Sequence, residues 1–459
     1  MSENSMSSTV ISRACIAVNR FGYGARGDEL VQAKQDPQQW ITSQLLPISF
    51  YDSLPHSNDV LIQHAKYLKQ QRQDKERSKS KKNASSQPNK MLNNYARNAL
   101  LSMSADTLNQ AIHSSHSVSW RLFDFFSNHF SVSAKGRLMI GLSATLEREA
   151  IAPNLLGNFE DMLLAVEQHP AMLIYLNNEK SFGPHSKIAK KRKVGLNENL
   201  AREILELHTL GVEGKYSQED VIELAKGITG WSVKNPQKER EAGFLFRKSG
   251  HEPGVRKMMG KQYPQQDIAQ GKQMLRDLAM HPATARHVCF KLAHHFVSAT
   301  PAESLVSKME KTWLKTGGNI KQVMYSLFAA DEAWLTSSQK FKTPREFVIS
   351  TYRALAPKKV NANALLHSLK SLGQQPFYAG SPAGYSDNMD DWLGGSALMA
   401  RVDLATMISS RDKRANSEKV MEIALADSVS QHTYQSVLRA ESRQLSLTLL
   451  LMSPEFQRR

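Results

Sequence analysis

NENLAREILELHTLGVEGKYSQEDVIELAKGITGW, residues 197–231, holds two helical patterns in succession and so decides the class of the fold. Projected at about 100° per residue, Leu200, Ala201, Ile204, Leu205 and Leu207 share one face, and Glu198, Asn199, Arg202, Glu203 and Glu206 share the other. Asn197 is placed to cap the first helix, and Glu198 in its opening turn suits the helix dipole. His208 falls midway along the apolar face, where a hydrogen-bonded core histidine is the simpler reading. Ser217, three residues before Asp220, has the Ser-x-x-acid form of a second helix start.

Outward from this block, apolar residues recur at three- and four-residue spacing with few alternating runs. The expected fold is therefore all-α, a multi-helix array with orthogonal, bundle-like packing. NFEDMLLAVEQ and AMLIYLNN read as consecutive helices joined at His169-Pro170, the proline opening the second where its missing N–H costs nothing. His281-Pro282 repeats the device. Residues 243–264, with Phe244 and Phe246 alternating among Gly and Pro, are the place for one small β-hairpin. The loop from Gln374 to Trp392 is too long and too rich in Gly, Pro and aromatic residues to be a mere connector.

A chain of 459 residues, 41% hydrophobic and 22% charged, can bury a sizeable core, which excludes wholesale disorder. Cys15 and Cys289 are its two cysteines, both expected to be buried, and they exclude a disulfide framework and a cysteine-type zinc site. No run approaches the ~18 to 20 apolar residues of a transmembrane segment. The opening residues lack the charged region and apolar core of an export signal, so a cytoplasmic location is expected, with export left open. The net charge of +16 is mostly local: residues 66–90 hold a net +7 and Lys187 to Lys193 five more. The first tract is expected to be a disordered, low-complexity insertion. It divides an N-terminal helical part, residues 1–65, from the main helical body of the same domain, residues 91–459. The second tract is expected to be a loop. Neither interleaves aromatics that could stack bases, so nucleic acid is not an expected partner.

Three segments could carry chemistry. Glu203 and Glu206 are neighbours on a helix surface, close enough to share a cation or to divide acid and base roles. The plainer alternative is a solvated ladder of ion pairs through Glu198, Arg202 and Glu206. Asn128-His129 lies in the aromatic run WRLFDFFSNHFSVS, where a buried histidine is a satisfied core residue, a metal ligand or a general base. His251-Glu252-Pro253-Gly254, followed by Arg256 and Lys257, is a turn with two potential ligands. Of His294 and His295, adjacent on one helix, at most one could join any site. HExxH, GxSxG, Walker and GxGxxG signatures are absent from the sequence.

From about Ser12 to Met452 the blocks resemble, in order, the bacterial family catalogued as domain of unknown function 1800. ISRACIAVNRFGYGARGDEL, FFSNHFSVS, residues 197–231, HEPGVRKMMG, HPATARHVCFKLAHHFVS, FKTPREFV and LGQQPFYAGSPAGY carry the likeness. Phe126-Ser127 stand where the family pattern usually shows Trp-His, and Glu252 where it usually shows Asp. The resemblance implies no settled reaction; it implies a sulfatase-like protein encoded nearby as a partner, and export signals in many members.

The expected function is a metal-assisted or acid/base hydrolase. Glu203, Glu206, His129 and Arg202 would be catalytic, and Asn128, Asn197, Glu198, Asn199, His251, Lys257 and Trp392 would bind. A divalent cation, if used, would sit on His129, His251 and Glu203. The alternative is a non-catalytic helical adaptor or assembly factor that holds a protein or envelope partner through Phe377, Tyr378, Tyr385 and Trp392.

Overall fold

The computed structural model describes residues 11–80, 90–236, 242–337 and 339–459. Helices follow one another from Arg13 to Gln457, and two small antiparallel sheets interrupt them. Strand β1 (Trp231–Val233) pairs with β2 (Phe244–Phe246), and β3 (Arg256–Met258) with β4 (Lys261–Tyr263). The class is all-α with a small hairpin, as the apolar spacing predicts. No helix among the described residues is long and apolar enough to cross a membrane.

Helix starts are dictated locally. Ser217 and Asp220 form a reciprocal capping box at Gln218–Gly227, and Thr343 and Glu346 form another at Pro344–Leu355. At both His-Pro sites the imidazole itself caps: Nδ1 of His169 accepts from the Ala171 N–H and that of His281 from the Ala283 N–H, each at 3.1 Å. The Asn197 side chain accepts from the Asn199 N–H at 2.9 Å, and the helix begins at Asn199, one residue later than the pattern predicts.

Residues 66–80, expected to be disordered, instead continue the helix Ser57–Ser80. Lys, Gln, Glu and Arg are strong helix formers, and Gln70 bonds Asp74 one turn on at 3.1 Å. Residues 81–89 of that tract lie outside the described residues. The tract from Lys187 is a run of turns.

One apolar cluster runs through the protein from Ala14 to Phe456. Its centre is an aromatic seam. Phe130 stacks on Phe126 at 6.4 Å and on Phe159 at 6.0 Å, and Phe159 meets Trp313 at 5.0 Å. Contacts of this kind add about 0.5–1.5 kcal/mol each beyond area burial, and they join helices Ser117–His129, Phe159–Glu167 and Glu303–Thr316.

Three π-helical turns, Ala17–Phe21, Glu147–Ile151 and Ile204–His208, each place a polar residue in the interior: Arg20, Glu147 and His208. A π turn widens the helix by one residue and rotates the side chains that follow. Arginine is the other interior device. The Arg353 guanidinium, fully buried, donates to the carbonyls of Gly24, Ala111, Ile112 and Ser114 and pairs with Glu29 at 2.5 Å. It fastens the N-terminal helices to the body. Replacing it by methionine strands the Glu29 carboxylate in the interior, so Arg353→Met should lose roughly 3–5 kcal/mol in urea unfolding. A loss under about 1 kcal/mol would show that this junction relaxes without its ion pair.

Candidate functional site

The helix Ser117–His129 forms one wall of a cavity of about 110 Å³. Asp124, Ser127 and Asn128 from that helix line it, with Glu147, His295, Arg345 and Glu346 from three others. The loop from Gln374 to Asp387 closes it, contributing Phe377, Tyr385 and Asp387 among others.

The loop is held by its backbone. Asn128 donates its amide to the Tyr385 carbonyl and accepts from the Tyr385 N–H, both at 2.8 Å, as a neighbouring strand would. The close approach requires Gly384, which has φ +81° and whose absent Cβ would stand 2.6 Å from the Asn128 carboxamide oxygen. Ala134 donates to the Phe377 carbonyl at 2.7 Å. Trp392, 8% exposed, donates its indole N–H to Ser386 at 3.0 Å, one residue before Asp387.

Asp387 reaches His295, with Nδ1 to carboxylate distances of 3.0 and 3.1 Å. A carboxylate can only accept, so Nδ1 carries the proton and Nε2 is left as a bare acceptor. Nε2 has no hydrogen-bond partner among the described residues. Burial lowers the pKa of His295 and keeps it neutral. Burial alone would raise the Asp387 carboxyl, but His295, Lys340 and Arg459 hold it far below the usual range.

Glu147 is the contrasting acid. Burial pushes it up to about 7 against the opposing pull of Arg148 and Arg345 and a 2.9 Å bond from Thr107. Asp124 takes two bonds of 2.6 Å from Arg345 and a further one from the Tyr23 hydroxyl. Glu346 pairs with Arg121 at 2.8 Å and with Arg459 at 2.9 Å. Burial works against its ionised form, but those two guanidinium groups hold it at about 2. Behind this layer burial lowers Lys342 to about 7 and Lys340 to about 8.

The residues expected from the sequence divide into separate places. Asn128 lines the cavity and Trp392 braces its loop. His129 is turned the other way into a buried knot, its Nδ1 3.1 Å from Lys291 Nζ and its Nε2 3.1 Å from the His208 carbonyl. Burial and the Lys291 charge drive its pKa well down. His208 in turn binds Glu167 at 2.7 Å, both fully buried. Glu203 is half-buried beside that pair, raised by burial and by the negative charges of Glu206 and Glu167. Glu198, Arg202 and Gln218 form a surface network, with Arg202 at 3.4 Å from Glu198 and 2.9 Å from Gln218, and Asn199 begins the same helix.

His251 caps a different corner, its Nδ1 2.9 Å from the Thr229 carbonyl, and Lys257 lies exposed on β3. His129, His251 and Glu203, expected as metal ligands, thus stand among different partners. No group of three or more His, Cys, Asp and Glu side chains among the described residues is placed to hold an ion.

Sequence reasoning passed over Asp124, Glu147, Arg345, Glu346 and Asp387. One signal was available: Asp124 is the lone charge inside the aromatic run WRLFDFF, and a charge buried there needs a partner. Of the adjacent histidines, His295 is the one turned to the cavity.

No curated protein and no solved structure matches the chain. A family model described as "Protein of unknown function (DUF1800)" matches residues 16–458, nearly its whole length, and the chain belongs to that family.

Proposed function

We propose that the protein is an acid/base hydrolase whose site is the cavity between the Ser117–His129 helix and the 374–387 loop. The observation that carries this is that the paired residues Asp387 and His295 both line the cavity and that the pair leaves His295 Nε2 without a partner among the described residues. In such a site His295 takes a proton from water as the water oxygen attacks the substrate. Glu147, raised by burial to about 7 and so about half protonated at neutral pH, gives a proton to the departing group. Asp387 fixes the tautomer and steadies the imidazolium that forms. Two titratable groups pushed in opposite directions within one lining is the arrangement that divides acid from base work.

Asn128 and Trp392 then act on the position of Asp387 through Tyr385 and Ser386. The adaptor alternative needs the loop aromatics outward. Tyr378, 39% exposed, meets that need, but Trp392 is turned in and the Tyr385 hydroxyl is bonded to the Gln375 carbonyl at 2.6 Å, which supports the hydrolase reading.

A panel of chromogenic esters and glycosides tests the proposal. With any substrate turned over, His295→Gln and Asp387→Asn should each cost about 10²-fold or more in kcat/KM. Retention of full activity in both variants would move the chemistry elsewhere.

The pH profile should be bell-shaped. Its acid limb lies below the ordinary histidine range, where His295 becomes protonated, and its alkaline limb lies near 7, where Glu147 loses its proton. Glu147→Gln should abolish the alkaline limb along with most of the rate; an unchanged limb would assign it to another group.

Stability gives an independent reading of Glu147. Its pKa of about 7 in the folded chain exceeds the unfolded value of 4.5, so it favours folding below that value and opposes it as pH rises through 7. Glu147→Gln should therefore be more stable than the native chain at pH 8, by roughly 3 kcal/mol at most, and nearly equal to it at pH 4. Equal thermal midpoints at both values would mean that Glu147 is ionised in the native state.

A further inference from the structure

The carboxylates held ionised around the cavity each have a partner. Asp124 is held by Arg345, Glu346 by Arg121 and Arg459, and Asp387 by the hydrogen bond from His295 and the nearby charges of Lys340 and Arg459, while Glu147, pushed up to about 7, is about half protonated at neutral pH. Arg345 is the only arginine or lysine among the described lining residues, and Asp124 engages it through two nitrogens. Three lining residues carry a buried side-chain atom without a hydrogen-bond partner among the described residues: Ser127 Oγ, Ser143 Oγ and His295 Nε2. Ser143 is fully buried, and His295 is 8% exposed. A buried polar atom left without a partner is costly, which makes these three the groups that a ligand would satisfy.

From these groups we infer that the cavity binds a neutral, polyhydroxylated ring of monosaccharide size, and not an anion or an organic cation. The inference rests on the reading above for the identity of the site. An anion would enter beside Asp124, Glu346 and Asp387 and find no unengaged cation in the lining. A cation would have to displace a guanidinium or imidazole already in place. A hydroxylated ring meets neither obstacle: one O–H donates to His295 Nε2, and others exchange bonds with Ser127 and Ser143, each able to donate and accept. Phe130, Phe377 and Tyr385 supply apolar surface for the C–H faces of such a ring.

Saturation-transfer NMR on the full chain, with thermal shift as a second readout, tests this against six probes. Glucose, N-acetylglucosamine and myo-inositol represent the inferred class, inorganic phosphate and inorganic sulfate the anions, and choline the cations. The neutral probes should bind in competition with one another, and Ser143→Ala should weaken them about tenfold, the effect of one lost hydrogen bond. Ser127→Ala is the second variant should the first fail to fold. Phosphate, sulfate or choline binding where the neutral probes do not would overturn the inference. So would neutral binding that both serine variants leave unchanged. Binding of neutral probes with no hydrolysis of any chromogenic substrate would leave this inference standing and sink the catalytic reading. Turnover dependent on His295 without polyol binding would do the reverse.

Discussion

The pairing of Glu346 with Arg121 and Arg459 is the interaction on which the rest of the molecule turns. Glu346 is the third residue of its helix, where its carboxylate also accepts from the Thr343 N–H at 2.8 Å and so closes the capping box. One side chain thereby starts a helix, pairs with two buried guanidinium groups and forms part of the cavity wall. Arg121 extends the network to the Gly22 carbonyl, and Arg459 extends it to the carbonyls of His295 and Phe296. The last residues are drawn in beside the site, with Lys340 and Arg459 exchanging backbone bonds of 3.1 and 3.0 Å. A buried pair of this kind contributes little net stability against an apolar substitute. Its effect is to make alternative packings expensive, since any shift that parts the three charges leaves one of them unmatched in the interior.

Much of the architecture is legible in the sequence because it rests on local rules. The Ser217 capping box and the two His-Pro starts act within a few residues and appear where the pattern puts them, and the amphipathic helix after Asn197 begins one residue late. Helix formation through residues 66–80 is where composition misleads. A stretch too polar to bury itself is read as disordered, yet its Lys, Gln and Glu are good helix formers, and a preceding helix anchored by buried Val60 and Leu61 needs no new nucleus to continue.

The candidate site is harder to read for a physical reason. Glu203 and Glu206 announce themselves as polar residues on a clean amphipathic helix, but both lie half-buried there and outside the cavity lining. The carboxylates with unusual chemistry are those hidden in apolar or π-helical context, such as Asp124 among phenylalanines and Glu147 at the first position of a π turn. A periodicity of 3.6 residues assigns Glu147 no special face, because the π turn that aims it depends on tertiary packing. Asp387 comes from a loop whose course is set by Asn128, 257 residues away from the Tyr385 it grips.

The surplus of positive charge illustrates the same separation between surface and interior. Most of the +16 lies in two tracts, one of which continues the Ser57–Ser80 helix as far as residue 80, while the other is a run of turns. At the cavity the balance is different, because each buried ionised group must be met within a few ångströms or lose its charge. At Glu147, hydrogen-bonded by a neutral threonine, burial outweighs the pull of Arg148 and Arg345 and raises the carboxyl to about 7; at Asp387 the bond from His295 and the charges of Lys340 and Arg459 outweigh burial. The net charge of the chain is therefore no guide to the charge balance of this cavity.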